Sequence, residues 1–181
     1  MFNSENTDFK GFSKEAYSAL DTSYSKFFKM DSLSKLGFLT ADVLLKDQGI
    51  DPSEEKNIAL VFANKASSLD TDRKHQESIQ DSESYYPSPA VFVYTLPNIC
   101  LGEISIKYKL YSENSFFIFD DFNAEHLLDY ANNLLSTNKA EEALCGWVDF
   151  DNENYNAFLY LVSKDGTLEH NKTNILKLYN T

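Results

Sequence analysis

The sequence predicts an α/β protein, a layered sheet between helices that ends in an antiparallel strand pair. Three observations predict it. "IALVFA" (58–63) and "FFIFD" (116–120) are short apolar runs of the kind that form strands covered on both faces. Amphipathic helical patterns precede and follow each run. "ALCGWVDF" and "YNAFLYLVS", with "DNEN" as the turn between them, read as a β-hairpin. The order helix, strand, helix, strand, helix, strand, strand is that of an α/β layered sheet with an antiparallel edge pair.

Taken in order, residues 13–28 are expected to form a first helix. In "MDSLSKLGFLTADVLLKDQG", Asp31 caps a second, Leu33, Leu36, Thr40, Val43 and Leu44 recur at helical spacing, and Gly49 stands where a left-handed stop belongs. "DPSEEKN" is a polar connector. The polar stretch 64–89 is too long for a structureless loop in a compact domain, so part of it is expected to be a short helix or a site-forming excursion. "PNICLGEISIKYKLY" reads two ways. Apolar and polar residues alternate from Ile104 to Leu110 as in an edge strand, whereas on a helix Ile99, Gly102, Glu103, Ile106 and Leu110 share a face. After the second strand, Ala124, Leu127, Leu128, Ala131, Leu134 and Leu135 form a clean helical stripe. Residues 164–181 are read as a tail.

A chain of 181 residues, 43% hydrophobic with 6 Gly and 4 Pro, is expected to be one globular domain over 1–181. Its net charge of -12 repels phosphate backbones and anionic surfaces, which argues against nucleic acid and membranes as partners. Cys100 and Cys145 are too few for a disulfide scaffold or a four-ligand zinc site. The opening "MFNSENTDFKGF" has no secretory pattern, and no segment approaches about 18 successive apolar residues, so a cytoplasmic protein without cofactor or metal is expected.

The segment "SPAVFVYTLPNICLGEISIKYKLYSENSFFIFDDF", followed by "ALCGWVDF", resembles the N-terminal half of β-ketoacyl-acyl carrier protein synthases, the thiolase-like condensing enzymes. The matching positions are Pro97, Asn98, Gly102, Asn114, Ala143, Leu144, Gly146 and Val148. Upstream, "FFKMDSLSKLGFLTADVLLKDQGI" and "NIALVFANKASSLDT" look like that family's preceding helix and strand. The resemblance covers about 25–163. It implies half of a thiolase-like three-layer α/β/α fold with a mixed sheet, and a helix at 98–110 rather than a strand.

The departures bear on chemistry. Seven residues after Asn114, where the resemblance places a nucleophilic cysteine, stands Asp121, with Asp120 and Phe122 beside it. The family's two catalytic histidines belong to a second half with no counterpart here, and its first strand is missing too. A condensing enzyme needs a thiolate and groups that stabilise an enolate, and Asp121 cannot hold a thioester. Asp121 is instead expected to cap the following helix. Cys100 and Cys145 are expected in the core, and His75 and His170 on the surface. His126 is read as a helix-surface residue, with a pocket shared with Asp121 as the alternative. A magnesium site joining Asp120 and Asp121 to Asp70 or Asp72 is disfavoured, because adjacent strand residues point to opposite faces.

These features suggest a non-catalytic ketosynthase-like binding or assembly module in fatty acid or polyketide-type biosynthesis. The alternatives are a partner subunit of a full condensing enzyme, as chain length factors are, and a small acyl hydrolase using Asp121 and His126. A homodimer or a heterodimer with a condensing enzyme is expected, covering Ile99, Ile106, Leu110 and the phenylalanines of 116–120. An acyl carrier protein, being acidic, would need a local basic patch. Lys107, Lys109, Arg73 and Lys74 are the candidates, read as ordinary solvated surface.

Overall fold

The computed structural model describes residues 3–83 and 85–181; Met1 and Phe2 of the opening stretch and Ser84 of the polar excursion lie outside it. Helix α1 (Phe9–Ala19) starts at Asp8, whose side chain accepts the Gly11 amide. It ends well before residue 28, because Asp21 turns the chain at φ 48°. A single 3-10 turn (Phe27–Lys29) then drops Phe27 into the core, stacked on Tyr17 at 4.6 Å. Helix α2 (Ser32–Asp47) has Asp31 as its cap, accepting from the Ser34 amide, and Gly49 follows its end at φ 69°.

Strand β1 (Ile58–Asn64) is buried at every position. The polar stretch that follows contains α3 (Leu69–Ile79) and the short α4 (Pro89–Val93). The ambiguous segment is helical, as α5 (Ile99–Tyr108). Strand β2 (Asn114–Ile118), α6 (Ala124–Ser136), the hairpin β3 (Glu142–Asp151) and β4 (Asn154–Val162), and α7 (Lys172–Tyr179) complete the chain. The hairpin turns on Asn152 and Glu153, at φ 47° and 64°, the two left-handed residues that match the twist of the flanking strands.

The strand order is β2-β1-β3-β4, with β1 parallel to both neighbours and β4 antiparallel to β3. One face of the sheet carries α1, α2 and α5 over Leu60, Phe62, Leu144, Val148 and Phe150. The other carries α6 and α7 over Val61, Ala63, Cys145 and Trp147. This is the three-layer α/β/α arrangement with an antiparallel pair at the C-terminal end.

Three more expectations about these elements need correction. "FFIFD" is not fully buried: Phe116 packs against the first core and Phe117 and Phe119 against the second, but β2 is an edge strand that stops at Ile118, its residues half-buried or exposed. The region 164–181 is more than a tail, since α7 packs Ile175 into the second core, 3% exposed. Leu110 does not face water, being 3% exposed beside Lys56, which pairs with it in a single parallel bridge.

Candidate functional site

The three parallel strands end on one side of the sheet, and their exits diverge there. β1 leads by way of α5 on the first face to β2, and β2 leads through α6 on the second face to β3. A divergence of this kind between neighbouring strands opens a crevice at their carboxyl ends, the usual place for a ligand in an open α/β sheet. The β2–α6 corner lies at the carboxyl end of β2, tied to the end of β1 by the Phe119 amide, which donates to the Asn64 carbonyl at 2.9 Å.

Asp120 and Asp121 are both exposed. The cap of α6 is Asn123, whose Oδ1 accepts the His126 amide at 3.0 Å, so the capping role expected of Asp121 belongs to a neighbour two residues on. Phe122 anchors the corner by turning back under it, 4.4 Å from Tyr179 and 5.7 Å from Phe158, ring centre to ring centre. His126 is half-buried rather than solvated. It meets Phe117 edge-on at 4.5 Å and Phe119 at 5.0 Å, and its Nε2 is buried without a hydrogen-bond partner. Among the described residues no hydrogen bond joins Asp121 to His126, and the pair is not assembled as acid and base.

Both thiols are in the core. Burial pushes the Cys100 thiol far up, with the Asp31 and Glu103 carboxylates adding to the effect. Burial pushes Cys145 up to about 12, against a smaller opposing hydrogen bond with Tyr160. A thiol held protonated in this way is no nucleophile. His75 and His170 are not plain surface either: His75 lies 5.3 Å from the Phe92 ring, and His170 Nδ1 is 3.0 Å from Asn132 Oδ1.

The acids named for a metal are engaged elsewhere, Asp70 with Lys74 at 2.6 Å and Asp72 with the Ser68 hydroxyl at 3.2 Å. Among the described residues no three His, Cys, Asp or Glu side chains gather as a metal site. Two buried carboxylates escaped sequence reasoning. Asp42 accepts from Thr22 Oγ1 at 2.8 Å, Tyr108 Oη at 2.7 Å and Lys46 at 2.7 Å. Glu103 accepts from Tyr24 Oη at 2.6 Å and Tyr94 Oη at 3.2 Å. Their signal was a lone acid among apolar neighbours on a helix. Each is fully partnered and ties α2 or α5 to the segment before it, a structural role.

The basic residues also regroup. Lys107 donates to Ser23 O at 2.9 Å, Lys109 to Ser53 O at 2.6 Å, and Arg73 pairs with Asp151. Lys74 instead joins Lys29 and Lys35 around a cavity of about 260 Å3 that also includes Asp31 and Thr71. Burial lowers the pKa of Lys35, Asp31 opposes the shift, and Lys74, Lys10 and Lys14 lower it further.

No family model and no curated protein matches the sequence. Solved structures do. A ketosynthase/chain length factor of ishigamide matches with a TM-score of 0.60 at 18% identity, over 78% of this chain and 46% of that one. The fold is that of the ketosynthases. A chain of the ketosynthase in complex with its chain length factor from Xenorhabdus doucetiae matches with a TM-score of 0.60 at 12% identity, over 93% of this chain and 82% of that one. A β-ketoacyl synthase from Burkholderia phymatum STM815 matches with a TM-score of 0.55 at 14% identity, over 72% of this chain and 33% of that one. The chain thus spans less than half the length of the ishigamide and Burkholderia chains and most of the Xenorhabdus one. Among the described residues no helix is long and apolar enough to cross a membrane.

Proposed function

We propose that the chain is a non-catalytic ketosynthase-like partner subunit, which pairs through the open edge of β2 with a condensing enzyme or with a second copy of itself. The observation that carries this is the state of that edge. Phe116 and Phe117 are only half-buried, Ile118 is 49% exposed, and Ile106 and Tyr111 nearby are 59% and 69% exposed. A strand edge free of Lys and Pro in an apolar surround is normally covered by another chain. A subunit seated there also closes over the adjoining corner, where Asp121 stands in place of the cysteine that the resemblance leads one to expect.

The comparisons support a partner role. In the Xenorhabdus complex a ketosynthase is found with its chain length factor, and the match covers 82% of the matched chain. Another neighbour is a polyketide ketosynthase in complex with its acyl carrier protein. Lys29, Lys35 and Lys74, gathered around one cavity, are the feature of this chain that suits such an acidic carrier, in spite of the overall charge.

Light scattering tests the pairing. The expected result is a species larger than 20.7 kDa, either the chain alone or a stoichiometric complex with a ketosynthase from the same genome, lost on Phe117→Lys. A stable monomer that joins neither would overturn it. Intact mass spectrometry after incubation with malonyl and acyl thioesters tests the absence of chemistry, and a stoichiometric acyl adduct on the chain would overturn that part.

A further inference from the structure

The opposite edge of the sheet carries a second feature, independent of the pairing proposed above. A groove of about 610 Å3 lies between α1, α2 and β4, walled by Phe12, Leu20, Leu39, Val43, Ala157 and Leu159. Its size falls in the range of roughly 300–1,000 Å3 typical of ligand sites. Among the described residues lining it, Asp47 is the single charged side chain. The Thr40 hydroxyl is already bonded to Leu36 O at 2.9 Å and offers the groove no donor.

The floor of the groove is an edge strand. β4 is paired to β3 along all of Asn154–Val162, yet as the end strand it has no neighbour on its other side. No backbone hydrogen bond joins that outer edge to another described residue. The strand carries no protecting residue of its own, since "NYNAFLYLV" contains no Lys, no Pro and no charge, although Phe9 and Phe12 of α1 pack on Tyr155 at its start. Apolar walls and a row of unmet backbone donors and acceptors therefore share one slot. Val43, 45% exposed on its upper wall, is the kind of residue that such an occupant would cover.

We infer that this groove receives an extended, alternately apolar segment of a partner protein, which joins the sheet as a fifth strand beside β4. An extended strand alone meets both demands: its backbone pairs with β4, and every second side chain points up between α1 and α2. A helix has satisfied its own backbone groups, and an acyl chain has none to offer. A second copy pairing through its own β4 would bring its α1 and α2 into the same slot.

Amide exchange of the intact chain, followed residue by residue, tests this with a synthetic peptide of alternating valine and threonine carrying terminal lysines. A second peptide of the same sequence, N-methylated at alternate residues, keeps the side chains and loses the pairing groups. Saturable binding of the first should slow exchange in β4 by about tenfold or more. The methylated peptide should not bind, and Val43→Glu, at an exposed position, should abolish binding in a chain whose circular dichroism is unchanged. No binding, equal binding of both peptides, protection of β2 instead of β4, or displacement of the peptide by a long-chain fatty acid that itself leaves β4 exchange unchanged would each overturn the inference. The reading of the β2 edge stands or falls separately.

Discussion

A methyl group placed on Gly37 would run into the Sγ of Cys100. At this contact α2 packs directly against α5, and Val148 lies within van der Waals reach of the same spot. Cys100 is thus a fully buried core residue held against the backbone of α2.

Gly37→Ala is therefore expected to destabilise the protein by about 1–3 kcal/mol, the usual cost of overpacking a core. Gly146→Ala should cost more, because its added methyl would meet the Phe158 carbonyl oxygen of the paired strand, and backbone yields less than a side chain. Urea denaturation of both variants checks the order; a Gly146→Ala protein as stable as the parent would refute it.

At the β2–α6 corner the cap is Asn123, so Asn123→Ala should cost about 0.5–2 kcal/mol. Asp121→Ala should stay within about 0.5 kcal/mol of the parent, as surface substitutions do. Denaturant midpoints measured side by side separate the two, and a larger loss at Asp121 would return the cap to it.

His170 gives a pH dependence of known sign. Burial lowers its pKa from the ordinary 6.5. The unfolded chain then takes up the proton first, so the contribution of the neutral imidazole is intact above 6.5 and is lost as pH falls towards the folded value. The stability gap between the parent and His170→Gln should be constant above neutrality and shift against the parent below it. Thermal melts across pH 5–8 would show this, and a pH-independent gap would exclude it.

Much of the fold is legible in local sequence. Asp31 and Gly49 bound α2 as expected, since caps and stops act through the nearest backbone groups. The run 58–63 is a buried strand because only a central strand can hide every side chain. Other positions were not legible. The alternation at 104–110 mimics a strand, yet Ile104 and Tyr108 are buried one helical turn apart in α5. "NILKLY" is too short and polar to declare itself; it is a helix because Phe122 and Tyr160 lie beneath it.

The sequence by itself determined which segments are helix and strand over most of the chain, and that no thiol occupies the corner after β2. These are properties of neighbouring residues and of spacing. The tertiary structure alone decided that β2 and β4 are the two edges, that Asn123 rather than Asp121 holds α6, that His126 turns in against Phe117, and that Lys29, Lys35 and Lys74 surround one cavity. Such facts depend on which strands pair and which helices cross at long range, and the period of a hydrophobic pattern specifies that a residue is buried without specifying against what.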